Sequence, residues 1–405
     1  MRRATLATLL GLLAISSPAS ASGVAASAVA PPPPPFAGVY QPQGVDEIGL
    51  WKEIDEEERI LANSPILIRD EALNAYVRGV LCATVGADRC KAVRIYILRT
   101  PLFNASMAPN GVIRVYSGLL LRVRSEAELG SVLGHEFGHF EQRHSLADFR
   151  AKRSSTDLLS WAGVLAGMSP NGRSQYNMQN LQISVYGRLS RFSRDQERQA
   201  DARSVGYLNG SSLPPQAASK VWRNLMKESE QSALARGYNK PRFDNVAFFA
   251  SHPPNAERAA TLAALAEPSG ADRDDGADRY AAAMAPWLPV FLDDQIKLND
   301  FGATDYLIGV LADRGATAPL WLARGDLYRA RGNMRDLVAA AEFYSNAVSL
   351  DPKLAEAQRG LGLSMLKTGR RTEGETALRR YLQLKPDAPD AAMIGMLVPN
   401  AGHSE

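Results

Sequence analysis

Cysteine is almost missing from this chain: 405 residues hold only two, Cys82 and Cys90. That count excludes a disulfide-dense scaffold and a zinc module built on thiolates. Net charge is also small, because 46 basic side chains stand against 43 acidic ones and leave +3. A chain so balanced has no overall field to gather nucleic acid or anionic lipid. Apolar runs long enough to cross a bilayer are missing from the body of the chain. What is present is the composition of a folded protein, 45% apolar and 22% charged, which excludes a wholly disordered chain. The length fits two or three domains.

The first residues read as an address. Met1-Arg2-Arg3 precedes an apolar stretch over 4–15 and a small-residue segment ending at Ala21. This is the pattern of a secretory signal peptide over residues 1–21, too short for a membrane anchor. Residues 22–44 are rich in Ala, Ser and Pro and contain Pro31 to Pro35. They are expected to form a stiff, extended spacer that stays out of any core. Export places Cys82 and Cys90 in an oxidising compartment. With a Gly- and Asp-containing turn between them, they are expected to close a structural disulfide rather than remain two buried thiols.

Residues 45–83 follow a helical pattern, and the acidic cluster Glu53, Asp55, Glu56, Glu57 and Glu58 reads as a solvated helix face. Three β-like runs follow, over 91–98, 102–107 and 112–116, the last two joined by Pro109-Asn110-Gly111 as a hairpin. Ser125 and Glu128 form a capping box before an apolar-periodic helix predicted over 126–149. Residues 158–168 read as a buried helix, 171–180 as a loop and 193–208 as another helix. Helical sequence continues to the end, broken at 251–254 and 268–278. Pro352 and Pro386 lie one tetratricopeptide period, 34 residues, apart. Leu361-Gly362 and Leu378 fit that period, as do Trp321, Gly325 and Tyr328 if a short insertion falls near Asn333. Residues 305–314 are expected to form a degenerate neighbour of these repeats.

Histidine is scarce, five residues in all, yet two of them sit in His135-Glu136-Phe137-Gly138-His139. On a helix, residues four apart project from nearly the same angle. His135 and His139 can therefore direct two imidazoles at one metal ion, with Glu136 beside them to take a proton from water. A hydrolytic zinc site needs a third protein ligand and an open position. His144 comes five residues after His139, turned away on a continuing helix, and reads as structural. His403 lies in a polar terminus. The remaining candidate is Glu197, which shares a face with Asp201 on the helix predicted over 193–208. Glu197 could complete the shell, and Asp201 could accept the far N–H of a ligating histidine.

Together, the H-E-x-x-H helix, the Glu197-x-x-Ala200-Asp201 helix and the segment His252-Pro253-Pro254-Asn255-Ala256-Glu257-Arg258 resemble the HtpX/CAAX-endopeptidase clan of gluzincin zinc metallopeptidases. Asn104-Ala105 with the Gly111 turn adds to the likeness. The export signal and the carboxy-terminal repeats make the chain similar to BepA-like periplasmic proteases. That resemblance implies an α+β gluzincin-type metallopeptidase domain over 45–267, mostly helical with a small sheet. An α-helical tetratricopeptide-like repeat domain would follow over 279–390, best defined over 319–386.

It further implies one Zn²⁺ held by His135, His139 and Glu197, Glu136 as general base, and Asp201 as a supporting partner. His252 would be either a fourth zinc ligand in a latent state or a hydrogen-bond donor to the oxyanion, accompanied by Arg258; the plain alternative is a loop histidine. The expected clients are unfolded or stalled proteins in the periplasm, laid as a strand along the 102–107 edge, with outer-membrane assembly machinery as a partner of the repeats. The competing expectation is a periplasmic chaperone or adaptor whose zinc site is latched or structural.

Overall fold

In the computed structural model, the described residues are 34–36, 40–154, 193–239 and 256–398. The expected signal peptide, most of the spacer, the segments 158–168 and 171–180, His252 with Pro253, Pro254 and Asn255, and His403 lie outside them.

Alternation of apolar side chains builds the sheet. Strands β1 (Leu67–Ile68), β2 (Arg94–Leu98), β3 (Ala105–Met107) and β4 (Val112–Tyr116) lie in the order β1-β2-β4-β3. Ile97, Ile113 and Val115 point to one face and enter the principal core. Val112 and Tyr116 point to the other, where helix α1 (Gly44–Ala62) brings Leu50, Ile54 and Leu61 against them. β2 and β4 run parallel, whereas β3 pairs antiparallel with β4, Met107 opposite Ile113. The predicted hairpin therefore forms, with Gly111 at φ +88° in its turn. β3 is left at the sheet edge, its outer backbone groups turned away from the pairing.

Two expectations for the N-terminal part are corrected. The acidic cluster on α1 is not a solvated face throughout. Glu57 pairs with buried Arg114 at 3.1 Å, and Glu58 accepts from Arg94 at 2.6 Å and from the Tyr96 hydroxyl at 2.8 Å. Asn110 donates to Asp55 at 2.8 Å. The carboxylates lie between the apolar positions that pack on the sheet, so that face meets basic and polar groups projecting from the strands. Burial and the Glu58 contact push the Tyr96 phenol up to about 12. The proline spacer also does not remain wholly apart: Pro35 is buried, and the Phe36 ring lies 5.7 Å from that of Phe137.

Helix α2 (Glu71–Val85) is capped by Asp70, whose carboxylate accepts from the Leu73 amide. Gly86 at φ +95° turns the chain into the short α3 (Ala87–Cys90). That turn brings Cys82 and Cys90 to a Cα separation of 5.1 Å, where they form the expected disulfide. After α4 (Ser117–Arg122) comes α5 (Glu126–Glu141), buried from Ala127 through Phe140. Ser125 caps it by accepting from the Glu128 amide, while the Glu128 carboxylate accepts from the Arg124 amide.

The single helix expected over 126–149 is in fact two. α5 ends at Glu141, Arg143 adopts φ +57°, and α6 (His144–Ser154) begins afresh. Arg143 pays for this left-handed backbone with contacts to the N-terminal segment: it lies 3.2 Å from Glu47 and 4.6 Å from the Tyr40 ring centroid. Nothing local in the sequence encodes those partners.

Helices α7 (Arg194–Asn209) and α8 (Ala217–Ala235) close over α5, and α9 (Ala256–Leu265) packs on α7 and α8. Next come α10 (Ala277–Met284), α11 (Leu288–Ile296), α12 (Phe301–Ala312) and α13 (Ala318–Arg331). Among the described residues, the principal core gathers side chains from Ile68 through to Leu327. Two smaller clusters then occupy α14 (Met334–Leu350), α15 (Ala355–Lys367), α16 (Arg371–Leu384) and α17 (Ala391–Leu397). Tyr344 packs against both Gly325 and Gly360; a Cβ at either glycine would lie within 2.6 Å of its ring. Among the described residues, no helix is long and apolar enough to cross a membrane.

Candidate metal centre

The approach of α5 to α7 decides what the site contains. Gly134 and Gly138 stand one turn apart on α5 and face α7. A Cβ on Gly138 would lie 3.2 Å from Ala200 Cα and 3.1 Å from Arg203 Cβ, and one on Gly134 would meet Ser204 Cα at 3.6 Å. The Ser204 hydroxyl ties the pair together by donating to the Ser131 carbonyl at 2.6 Å. At the start of α7, Ser193 and Gln196 form a reciprocal capping box that fixes the first turn, where Glu197 lies.

This packing brings together the three residues expected to bind metal. His135 Nε2 and His139 Nε2 are 3.1 Å apart. The Glu197 carboxylate lies 3.6 Å from the first and 3.4 Å from the second. One ligand atom from each residue falls within 4.8 Å of the others, and all three residues are buried. Donors about 2.0–2.1 Å from a shared tetrahedral ion would stand roughly 3.3 Å from one another. The observed spacing therefore suits zinc, as does a set of two imidazoles and one carboxylate. Formal charge agrees. The buried carboxyl groups of Glu136, Glu197 and Asp201 surround one guanidinium, Arg258, an excess of two negative charges that a divalent cation would balance.

Each histidine is oriented from behind. Asp201 Oδ1 lies 2.9 Å from His135 Nδ1, so Nδ1–H donates to the carboxylate and Nε2 presents its lone pair to the cluster. Asp201 is in turn gripped by Arg258, whose Nε and Nη2 donate to it at 2.6 and 2.7 Å. Burial would raise the Asp201 carboxyl, but the Arg258 charge and the His135 hydrogen bond outweigh it and hold it below the usual carboxylate range. Burial would lower Arg258, but Asp201, Glu197 and Glu136 together raise it above the ordinary arginine value. Arg258 Nη1 reaches Glu197 at 3.0 Å, and its guanidinium lies 4.0 Å from the Trp222 ring centroid. Asp201 and Arg258 thus meet at the cluster, whereas His252 lies outside the described residues.

Sequence reasoning missed Trp222, the two glycines and the environment of His144. The angular argument that turned His144 away assumed an unbroken helix. With the break at Arg143, His144 Nδ1 comes to 2.8 Å from His139 Nδ1, and its Nε2 lies 2.9 Å from Gln199 Oε1. Burial lowers the His144 pKa and favours the neutral ring. Only the left-handed residue ahead of it would have revealed this, and left-handed arginine has no sequence signature.

Comparison with known proteins points to the same region. Residues 67–266 match peptidase family M48. The metalloprotease YcaL of Escherichia coli K12 is 30% identical over 168 residues, 41% of this chain and 59% of its own. The beta-barrel assembly-enhancing protease of Yersinia pestis is 28% identical over 239 residues, 55% and 47% of the two chains. The mitochondrial metalloendopeptidase OMA1 of Schizosaccharomyces pombe is 26% identical over 164 residues, 40% and 44%. The chain spans between 37% and 59% of the length of these and similar curated relatives. Residues 67–266, which carry the sheet and every described member of the His–Glu cluster, form a peptidase M48 domain.

Proposed function

We propose that this protein is a zinc-dependent endopeptidase of the cell envelope that hydrolyses misfolded or stalled polypeptides, outer-membrane proteins among them. The observation that carries the reading is the convergence of His135, His139 and Glu197 from two helices with Glu136 at its side. When bound there, zinc supplies Lewis-acid polarisation of a carbonyl and acidification of water. His135, His139 and Glu197 hold the ion. Glu136 takes the proton from the attacking water and returns it to the leaving amine. Asp201, backed by Arg258, keeps His135 in the tautomer that binds.

The edge position of β3 supports a substrate added as an antiparallel strand, recognised through its backbone with little side-chain selectivity. Such recognition needs an extended chain, which favours unfolded clients. The helices from α13 onward suit tetratricopeptide-like hairpins whose surface docks clients or an outer-membrane assembly machine. The names of the relatives and the disulfide support a periplasmic location after removal of a signal peptide. The test is metal removal. Chelation should abolish cleavage of a reduced, unfolded polypeptide, and one equivalent of zinc should restore it. Cleavage that survives complete chelation contradicts the reading.

A further inference from the structure

We infer that His144 is a positioning residue for the metal ligand His139, acting as a neutral hydrogen-bond acceptor. The inference rests on the zinc reading above and extends it to a residue outside the ligand set. His139 directs Nε2 at the cluster, 3.1 Å from His135 Nε2 and 3.4 Å from Glu197. To bind a cation there, Nε2 must keep its lone pair, so the ring proton of neutral His139 is on Nδ1. That proton faces His144 Nδ1 at 2.8 Å. His144 Nδ1 must then accept, which puts the His144 proton on Nε2, where Gln199 Oε1 receives it at 2.9 Å. Each group takes a role that its chemistry allows.

The surroundings are built for this arrangement. His144 is buried, and the chain reaches it through Arg143 at φ +57°, a backbone state that disfavours a side chain. Glu47 and Tyr40 hold that turn. From α7, Gln196 donates to Asp148 on α6 at 2.9 Å, so the helix carrying Glu197 also fixes the helix carrying His144. The two ligand histidines are thereby oriented differently: His135 by a charged Asp201–Arg258 pair, His139 by a neutral imidazole. Gln199 is exposed, so water can replace it, and His144 is the member that governs alignment.

Zinc affinity measured by chelator competition on the folded protein tests the assignment. His144→Ala should weaken zinc binding by about 10–100-fold. His144→Asn, whose side-chain oxygen can accept from His139 Nδ1–H, should recover most of that loss. His144→Leu should not. A purely structural role would instead lower the melting temperature and leave affinity in the folded variants unchanged, which would overturn the proposal. Nitrogen-15 spectra of the zinc-loaded parent give a reading that requires no variant. They should show His144 protonated at Nε2 and bare at Nδ1; a proton on His144 Nδ1 overturns the assignment. A parent protein that binds no zinc would instead defeat the proposed function itself.

Discussion

Glu136→Gln should lower kcat on an unfolded polypeptide by about 10²–10⁴-fold, the range assigned to a positioned general acid–base group. Glutamine keeps the shape and a hydrogen-bonding oxygen but cannot accept the proton that water must lose. KM should change little, since the substrate backbone is proposed to align on β3 rather than on Glu136. Zinc occupancy should be retained, because His135, His139 and Glu197 supply the donors. The result also separates the two functional readings. A chaperone or adaptor with a structural zinc needs no such carboxylate, and would hold clients equally well with glutamine at 136. Undiminished cleavage by the variant would show that Glu136 is not the base.

Arg258→Met should destabilise the metal-free protein by about 3–5 kcal/mol, read as a shift of its denaturant midpoint. The guanidinium is buried with Asp201 and Glu197, 2.6 and 3.0 Å away. Removing one partner of a buried ionic network strands the others in a medium that solvates charge poorly. The loss should be smaller with zinc present, since the cation offsets Glu197. Adding Asp201→Asn to the same protein should recover part of the stability, because the amide oxygen can still accept from His135 while the stranded charge is gone. A loss below about 1 kcal/mol in the metal-free single variant would mean that solvent reaches the network.

The members of the His–Glu cluster were legible on each helix because helical periodicity is a strong local code. Residues 135 and 139, like 197 and 201, share a face on any helix. Joining the two helices was not a matter of local physics. It depended on resemblance, and the structure supplies the cause in Gly134 and Gly138, whose missing side chains admit α7. Strand β4 was placed at its observed bounds by alternation alone, while the two-residue β1 was too short to leave a pattern. The largest misreading concerned the end of α5. Its sequence continues helically through His144, and Glu47 and Tyr40, distant in sequence, hold Arg143 in the turn. The acidic run on α1 misled for a similar reason: Arg94 and Arg114 are brought opposite it only by the sheet.

Two separate helices are proposed to bind one zinc ion through His135, His139 and Glu197. Metal analysis combined with zinc X-ray absorption on the purified full chain tests it most directly. One zinc per chain is expected, coordinated by two imidazoles and a carboxylate oxygen, with the carboxylate contribution lost in Glu197→Gln. Zinc bound with an unaltered coordination shell in that variant, or no stoichiometric zinc in the parent, would contradict it.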